Sequence, residues 1–222
     1  FFFTGNDPLG LFTEQRTPTP SVAERVMPSV SGEVDGWWAV YFTEPGANEN
    51  TDEVSGLIPE QLLARIAQAQ QSIHMDAFEF NLTPVAEALI AAHNRGVEVQ
   101  WVTDNEYGME ADEEEGHGQF SSLQQAGIPI KDDGRSALMH NKFWIFDQQV
   151  VWTGSTNITV NGFMHNNNNV IIIENPAVAA IYEREFAEMW AGEFGTRSPS
   201  TIDQQATVID GTAEPRTAAR LD

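Results

Sequence analysis

Short apolar, β-branched runs alternate along this chain with stretches in which apolar residues recur every three or four positions. Trp37–Phe42 is a compact aromatic and β-branched run typical of a strand. A polar stretch from Glu44 to Gly56 follows. Leu62, Leu63, Ile66 and Ala69 then recur at helical spacing behind Pro59, a residue suited to a first turn. Ser72–Phe80 predicts a second strand with Ile73, Met75 and Ala77 on one face. Thr83 and Pro84 predict an N-cap and first-turn proline for a helix to Asn94, closed by Arg95 and Gly96. Val97–Thr103 predicts a third strand, Phe120–Ala126 a short helix, and Ile128–Lys131 another strand. Phe143–Phe146 and Val150–Trp152 flank Asp147, Gln148 and Gln149 as a hairpin would. The unbroken run Val170–Ile173 suits a central strand covered on both faces. Asn175 and Pro176 open a last helix reaching Trp190, with Ile181, Phe186, Met189 and Trp190 on its apolar side.

Strands alternating with helices predict an α/β fold: a mixed, mostly parallel β-sheet with helices on both faces. The expected organisation is an extended arm or linker over residues 1–35, one globular domain over 36–196 and a flexible tail over 197–222. Trp37, Trp38, Trp101, Trp144 and Trp152 fall on the strands and read as core. No stretch has the roughly 18 apolar residues that a membrane-spanning helix needs.

Composition narrows the chemistry. Cysteine is absent, which removes disulfides and thiolate metal sites. Thirty-three acidic residues face eleven basic ones, for a formal charge of −22, and only Lys131 and Lys142 are lysines. Such a surface repels polyanions in general. Glu106–Gly118, with Glu110, Asp112, Glu113, Glu114 and Glu115, reads as an exposed, mobile acidic loop, and it lacks the EF-hand spacing of a calcium site. The compartment is left open, with a secreted or cell-envelope location favoured over a cytoplasmic one.

The candidate chemistry lies between His140 and Asn157. The pattern is His140-x-Lys142, then Asp147, then Gly154-Ser155-x-Asn157. On a strand, positions 140 and 142 project to one side, so an imidazole and an ammonium converge. A Gly-Ser-Thr-Asn turn after the paired strand brings hydroxyl, amide and backbone donors to the same edge. Imidazole attacks phosphorus, while lysine and asparagine stabilise charge on the non-bridging oxygens.

The spacing His-x-Lys-x₄-Asp-x₆-Gly-Ser-x-Asn resembles the signature of the phospholipase D superfamily. The resemblance extends over roughly residues 37–194, through Val40-Tyr41-Phe42, the segment "SIHMDAFEF", the strand "GVEVQWVTD" and "AGIPI". It is closest to members with one motif per domain, including small bacterial endonucleases and the mitochondrial cardiolipin-hydrolase type. The resemblance implies that His140 is a nucleophile forming a phosphohistidine. Lys142 and Asn157 then hold phosphate oxygens with help from Gly154, Ser155 supports the phosphate or a facing histidine, and Asp147 is structural. The chemistry needs a second histidine, yet His74, His93, His117 and His165 lack the flanking motif. A homodimer sharing one site is therefore expected, with a missing tandem domain, hinted at by Thr207–Gly211, as the alternative. The scheme requires no metal or cofactor, and no metal-ligand spacing is evident. Related one-motif members carry a glutamate after the Gly-Ser turn; here Asn168 is the nearest match and is expected to line the site. Glu79, Asp76 and Asp104 are the candidates to supply the missing carboxylate. The expected substrate is nucleic acid, single strands preferred, with a phospholipid headgroup as the alternative.

Overall fold

Seven strands and four helices carry the fold in the computed structural model, which describes residues 37–46 and 57–197. The proposed arm, the tail and the Thr207–Gly211 segment lie outside the described residues. In chain order the elements are β1 (Trp38–Phe42), α1 (Leu57–Gln68), β2 (Ser72–Ala77), α2 (Thr83–Asn94) and β3 (Glu98–Thr103). They continue with α3 (Gln119–Gln125), β4 (Ile130–Asp132), β5 (Lys142–Phe146), β6 (Val150–Gly154), β7 (Asn169–Glu174) and α4 (Pro176–Trp190).

The strands form one sheet in the order β1-β7-β6-β5-β2-β3-β4. A helix lies between β2 and β3 and another between β3 and β4, and these two pairings are parallel. The other four pairings, β1–β7, β7–β6, β6–β5 and β5–β2, are antiparallel. The mixed sheet with helices on both faces is as expected, but its balance is not mostly parallel. A parallel neighbour needs a crossover. The tight turn after β5 forbids one, and the segment between β6 and β7 folds back along the sheet end instead of crossing over. In that turn Asp147 and Gln148 both have positive φ, at 52° and 56°, which matches the twist of a two-stranded ribbon.

Core residues divide by face. Leu62, Ile66, Val85, Leu89, Phe120 and Leu123 from α1, α2 and α3 pack on Ile73, Met75, Trp101, Trp144, Trp152, Val170 and Ile172. On the opposite face Ala179, Phe186 and Met189 of α4 pack on Val102, Phe143, Ile145 and Val151. Trp101 stacks edge-on to Trp144 and Phe120, so the core reading of the tryptophans holds for Trp101, Trp144 and Trp152, while Trp37 and Trp38 are half-buried near the β1 edge. β7 is covered less than its apolar run suggests: Val170 and Ile172 are buried, whereas Ile171 and Ile173 on the α4 face are only partly so.

Two local expectations change. Thr83 is the first residue of α2 and not its cap; Leu82 holds the cap position without a side-chain bond, and the Thr83 hydroxyl accepts from Gln119 Nε2 at 3.2 Å. The acidic segment is not an open loop. Asn105–Glu110 forms a wide helical turn and Ala111–Glu113 a 3₁₀ turn. Buried Asp112 accepts from the backbone of Gly118, Phe120 and Ser121 and from the Ser121 hydroxyl. One of the acids thus supplies the acceptors that hold the turn, while Glu110, Glu113, Glu114 and Glu115 stay in water.

Candidate active site

The end of the sheet where β2 stops and β5 begins gathers His140, Lys142 and Asn157 of the motif. β2 continues past Ala77 into Phe78, whose carbonyl accepts from Thr103 Oγ1 at 3.0 Å, while the Ala77 carbonyl accepts from Trp101 Nε1 at 3.0 Å. These bonds pin a buried aromatic ring at the sheet edge. His140 packs edge-on against it with centroids 4.7 Å apart, and Lys142 Nζ lies 5.1 Å from the Phe78 centroid. Lys142 opens β5 opposite Ala77, and its ammonium also donates to the His140 carbonyl at 3.2 Å. His140 itself precedes the strand rather than belonging to it. Between them Asn141 turns the other way and donates to Met189 Sδ of α4 at 3.3 Å. The alternation expected of an extended chain thus brings 140 and 142 onto one ring.

The His140 backbone is set from β3. Asp104, almost fully buried, accepts from Met139 N at 2.9 Å through one carboxylate oxygen and from Glu106 N and Tyr107 N through the other. One carboxylate therefore ties the residue before His140 to the turn that carries Tyr107. Tyr107 is 45% exposed and packs 5.2 Å from Phe78, and Leu138, 52% exposed, lies two residues before His140. Apolar surface therefore flanks an exposed imidazole whose nitrogens bond to no described residue.

The Gly154–Asn157 turn follows β6. At Gly154 a Cβ would overlap the Asn169 carbonyl and the Val170 backbone, so only glycine permits this strand pairing. Ser155 Oγ donates to Asn168 Oδ1 at 2.9 Å and accepts from Asn169 N at 3.1 Å. Asn168 Nδ2 donates to the Gly162 carbonyl at 2.8 Å, and Asn168 N donates to Thr43 Oγ1 at 2.7 Å. Within the described chain, then, Ser155 and Asn168 bond to each other, to their own loop and to Thr43 after β1, and neither bonds to His140. Asn157 does reach the site. Phe80 bridges to Ile158, and Asn81 N donates to the Ile158 carbonyl at 3.2 Å, so residues 78–81 run beside 157–160. Asn157 Nδ2 donates to Glu79 Oε2 at 2.7 Å.

Asp147 lies at the far end of β5, roughly 16 Å from Lys142 at 3.3 Å per residue. Its carboxylate accepts from the backbone of Gln70, Gln71 and Ser72 and fastens the hairpin turn to the start of β2. Of the candidate carboxylates, Asp104 is engaged with backbone. Asp76 is fully buried on the α4 side with neither oxygen bonded to a described residue. Only Glu79 stands in the site. Burial pulls the Lys142 ammonium below the ordinary lysine range, and the Glu79 carboxylate pulls it partly back. Burial pushes the Asp76 carboxyl well above the usual carboxylate range, reinforced by Glu185 and then Glu183. The motif did not expose Phe78, Tyr107 or the positioning part of Asp104. The only trace of Phe78 in the sequence is an aromatic at the end of a predicted strand.

Of the two lysines, Lys131 is held elsewhere, donating to the Trp190 carbonyl at 2.7 Å, so Lys142 is the ammonium available here. An exposed imidazole, an ammonium and a carboxamide N–H on one edge are equipped for nucleophilic attack on an anionic centre.

Comparison with known proteins identifies the family. The family described as cardiolipin synthase, PLD-like domain, matches residues 62–190. The mitochondrial cardiolipin hydrolase of Xenopus laevis is 36% identical over 130 residues, covering 59% of this chain and 60% of that protein. A phospholipase D of Rickettsia prowazekii (strain Madrid E) is 34% identical over 121 residues, covering 54% of this chain and 57% of its own length. The chain thus spans about three fifths of the curated relatives it matches. Nuc from Salmonella typhimurium, a phospholipase D family member of known structure, has a TM-score of 0.57 at 26% identity, covering 70% of this chain and 95% of its own. With a family match over more than half its length and a similar fold, the chain belongs to the phospholipase D superfamily.

Proposed function

We propose that this protein hydrolyses phosphodiesters through a phosphohistidine at His140. The carrying observation is the exposed, unbonded His140 imidazole beside Lys142 on the Phe78 ring. A ring nitrogen of His140 attacks phosphorus, and the bond to the leaving oxygen breaks as that oxygen takes a proton from a second imidazole. Water, deprotonated by the second imidazole, then attacks the phosphohistidine, releasing the phosphomonoester and free His140. Lys142 and Asn157 neutralise charge on the non-bridging oxygens throughout. His74 is buried against Glu183, and His93, His117 and His165 belong to other elements. The second imidazole then comes from outside the described chain, most simply His140 of another copy in a two-fold dimer with its site between the copies, with a further motif-bearing domain as the alternative source. In such a dimer Ser155 and Asn168, which form a bonded pair at the surface, are available to the facing ring.

A phospholipid is the substrate favoured by the surroundings of the site. One ammonium serves it, the Glu79 carboxylate acts on that ammonium and bonds to Asn157, and exposed Tyr107 and Leu138 flank it, within a chain of net charge −22. This fits one phosphodiester with apolar substituents better than a polyanion. Single-stranded nucleic acid is the second reading, supported by exposed Tyr107, backed by Phe78, as a ring on which a base stacks. Phosphatidylcholine and cardiolipin vesicles, single-stranded DNA and RNA, assayed side by side with excess chelator present, separate the two. Lipid turnover exceeding that of the oligonucleotides is expected. Turnover that appears only on adding metal, or none after His140 labelling is sought with radiolabelled diester, overturns the scheme.

A further inference from the structure

We propose that Glu79 is the specificity-determining residue of the phosphate site: its carboxylate, bonded to Asn157 and set against Lys142, admits a singly charged phosphodiester and rejects phosphates that bring further negative charge. The inference rests on the reading of Lys142 and Asn157 as the phosphate-holding pair. It does not depend on how fast the bond is cleaved.

The geometry makes Glu79 part of that pair. Asn157 Nδ2 has two hydrogens, and one is committed to Glu79 Oε2 at 2.7 Å, the short distance typical of a charge-assisted bond. Asn157 Oδ1 is buried and bonds to no described residue. The Glu79 bond is therefore the side-chain hydrogen bond that fixes the carboxamide. Reversing the amide would set its oxygen against a carboxylate. This leaves the second N–H to serve a ligand. Glu79 is itself held in place, since Phe78 on one side is tied to Thr103 and Phe80 on the other bridges to Ile158.

The electrostatics give the arrangement a consequence. Lys142 alone would make an anion-attracting site; with Glu79 the empty pair sums to zero formal charge. The carboxylate also favours the charged ammonium, opposing the larger effect of burial on its proton affinity. A phosphodiester monoanion brings one charge, which Lys142 matches. A second charge on the same phosphorus, or on one adjacent, meets Glu79 in a partly buried setting where like charges are poorly screened. Selection against it on the order of tenfold is the scale such a pair produces.

The test measures binding as well as turnover. Dimethyl phosphate and inorganic phosphate at pH 8 are titrated against the full chain, with the His140 ring resonances as the readout. The wild type is expected to bind the diester at least as tightly as the dianion. Glu79→Gln, which keeps an oxygen acceptor for Asn157, is expected to shift the ratio toward the dianion by about tenfold. Glu79→Asp, which keeps the charge, is expected to preserve it, and this second variant stands if the first does not fold. Loss of the Glu79 charge should also move the alkaline limb of any pH–rate profile to lower pH, because the group that supports Lys142 protonation is gone. An unchanged ratio in Glu79→Gln, or an equal shift in both variants, overturns the proposal. If the ratio shifts as expected but no diester is turned over, the selectivity stands and the phosphodiesterase reading fails.

Discussion

Lys142 is held in an environment that weakens its own charge. Burial against Phe78 lowers its proton affinity and Glu79 only partly restores it, so the ammonium deprotonates at lower pH than an ordinary lysine, near 10.4. The sign for activity follows: turnover falls as pH rises, with a midpoint below that value, and a pH–rate profile extended to alkaline conditions measures it. His140 differs, since it is exposed and bears little of the fold. His140→Ala is expected to lower turnover by about a thousandfold or more while thermal unfolding shifts by less than about 0.5 kcal/mol. Asp104 offers a sharper dissection. Asp104→Asn retains an oxygen for Glu106 N and Tyr107 N, but turns an NH₂ against Met139 N. The expected result is a fall in kcat with KM nearly unchanged and the turn intact. Equal loss in Asp104→Asn and in a variant with the whole turn disrupted would remove Asp104 from the positioning of His140.

Among the elements, β5 carries opposite tasks at its two ends. Lys142 serves the site, while Asp147 beyond the far end gives its carboxylate to three backbone N–H groups before β2. Removing those acceptors leaves the part-buried Ser72 N–H unpaired and frees the exposed Gln70 and Gln71 N–H groups to water. Asp147→Ala is expected to destabilise by about 1 kcal/mol in denaturant titrations, with turnover per folded molecule preserved. Complete loss of turnover in a folded Asp147→Ala would place the residue in the chemistry. The packing of α4 on β2 makes a second prediction. Asp76 lies there beside Glu183 and Glu185, with Glu188 also buried on α4 and His74 stacked on Phe186 and bonded to Glu183. Its folded-state pKa is raised above the unfolded value near 3.9. Below that value the acid is protonated in both states; as pH rises toward the folded pKa, folding must keep a proton that the unfolded chain releases, and stability falls. Asp76→Asn removes this dependence, so its advantage in Tm over the wild type should grow from pH 5 to pH 8. A constant difference would show that Asp76 does not titrate between the two states.

The whole molecule has one exposed motif histidine per chain, while the proposed chemistry uses two. Mixing wild-type and His140→Ala chains after unfolding and refolding together tests the shared site. Equal parts should give about one quarter of the wild-type activity if both imidazoles are needed, and about one half if each chain acts alone. Much of this was legible in the sequence. The His140–Asn157 spacing named the candidate groups because β5 and β6 are consecutive and joined by a three-residue turn, so local chain geometry alone brings them together. Apolar periodicity likewise located α1 and α4, since burial on one face imposes a 3.6-residue period whatever the neighbours are, while Pro84, Gly96 and Gly127 marked the limits of α2 and α3. Other features depended on partners distant in sequence. The antiparallel balance of the sheet follows from which strands meet. The approach of Glu79 to Asn157 requires segments 78–81 and 157–160 to lie side by side, and the bond from Asp104 to Met139 requires β3 to end beneath His140. An acidic residue reads the same in sequence whether it faces water, as Glu114 does, or holds backbone, as Asp112 and Asp104 do. The sequence by itself determined the main elements and the candidate nucleophile, because both are encoded in residues near one another. Which carboxylates surround that nucleophile was decided only by the tertiary structure, because hydrogen bonding and desolvation depend on what the fold places within a few ångströms.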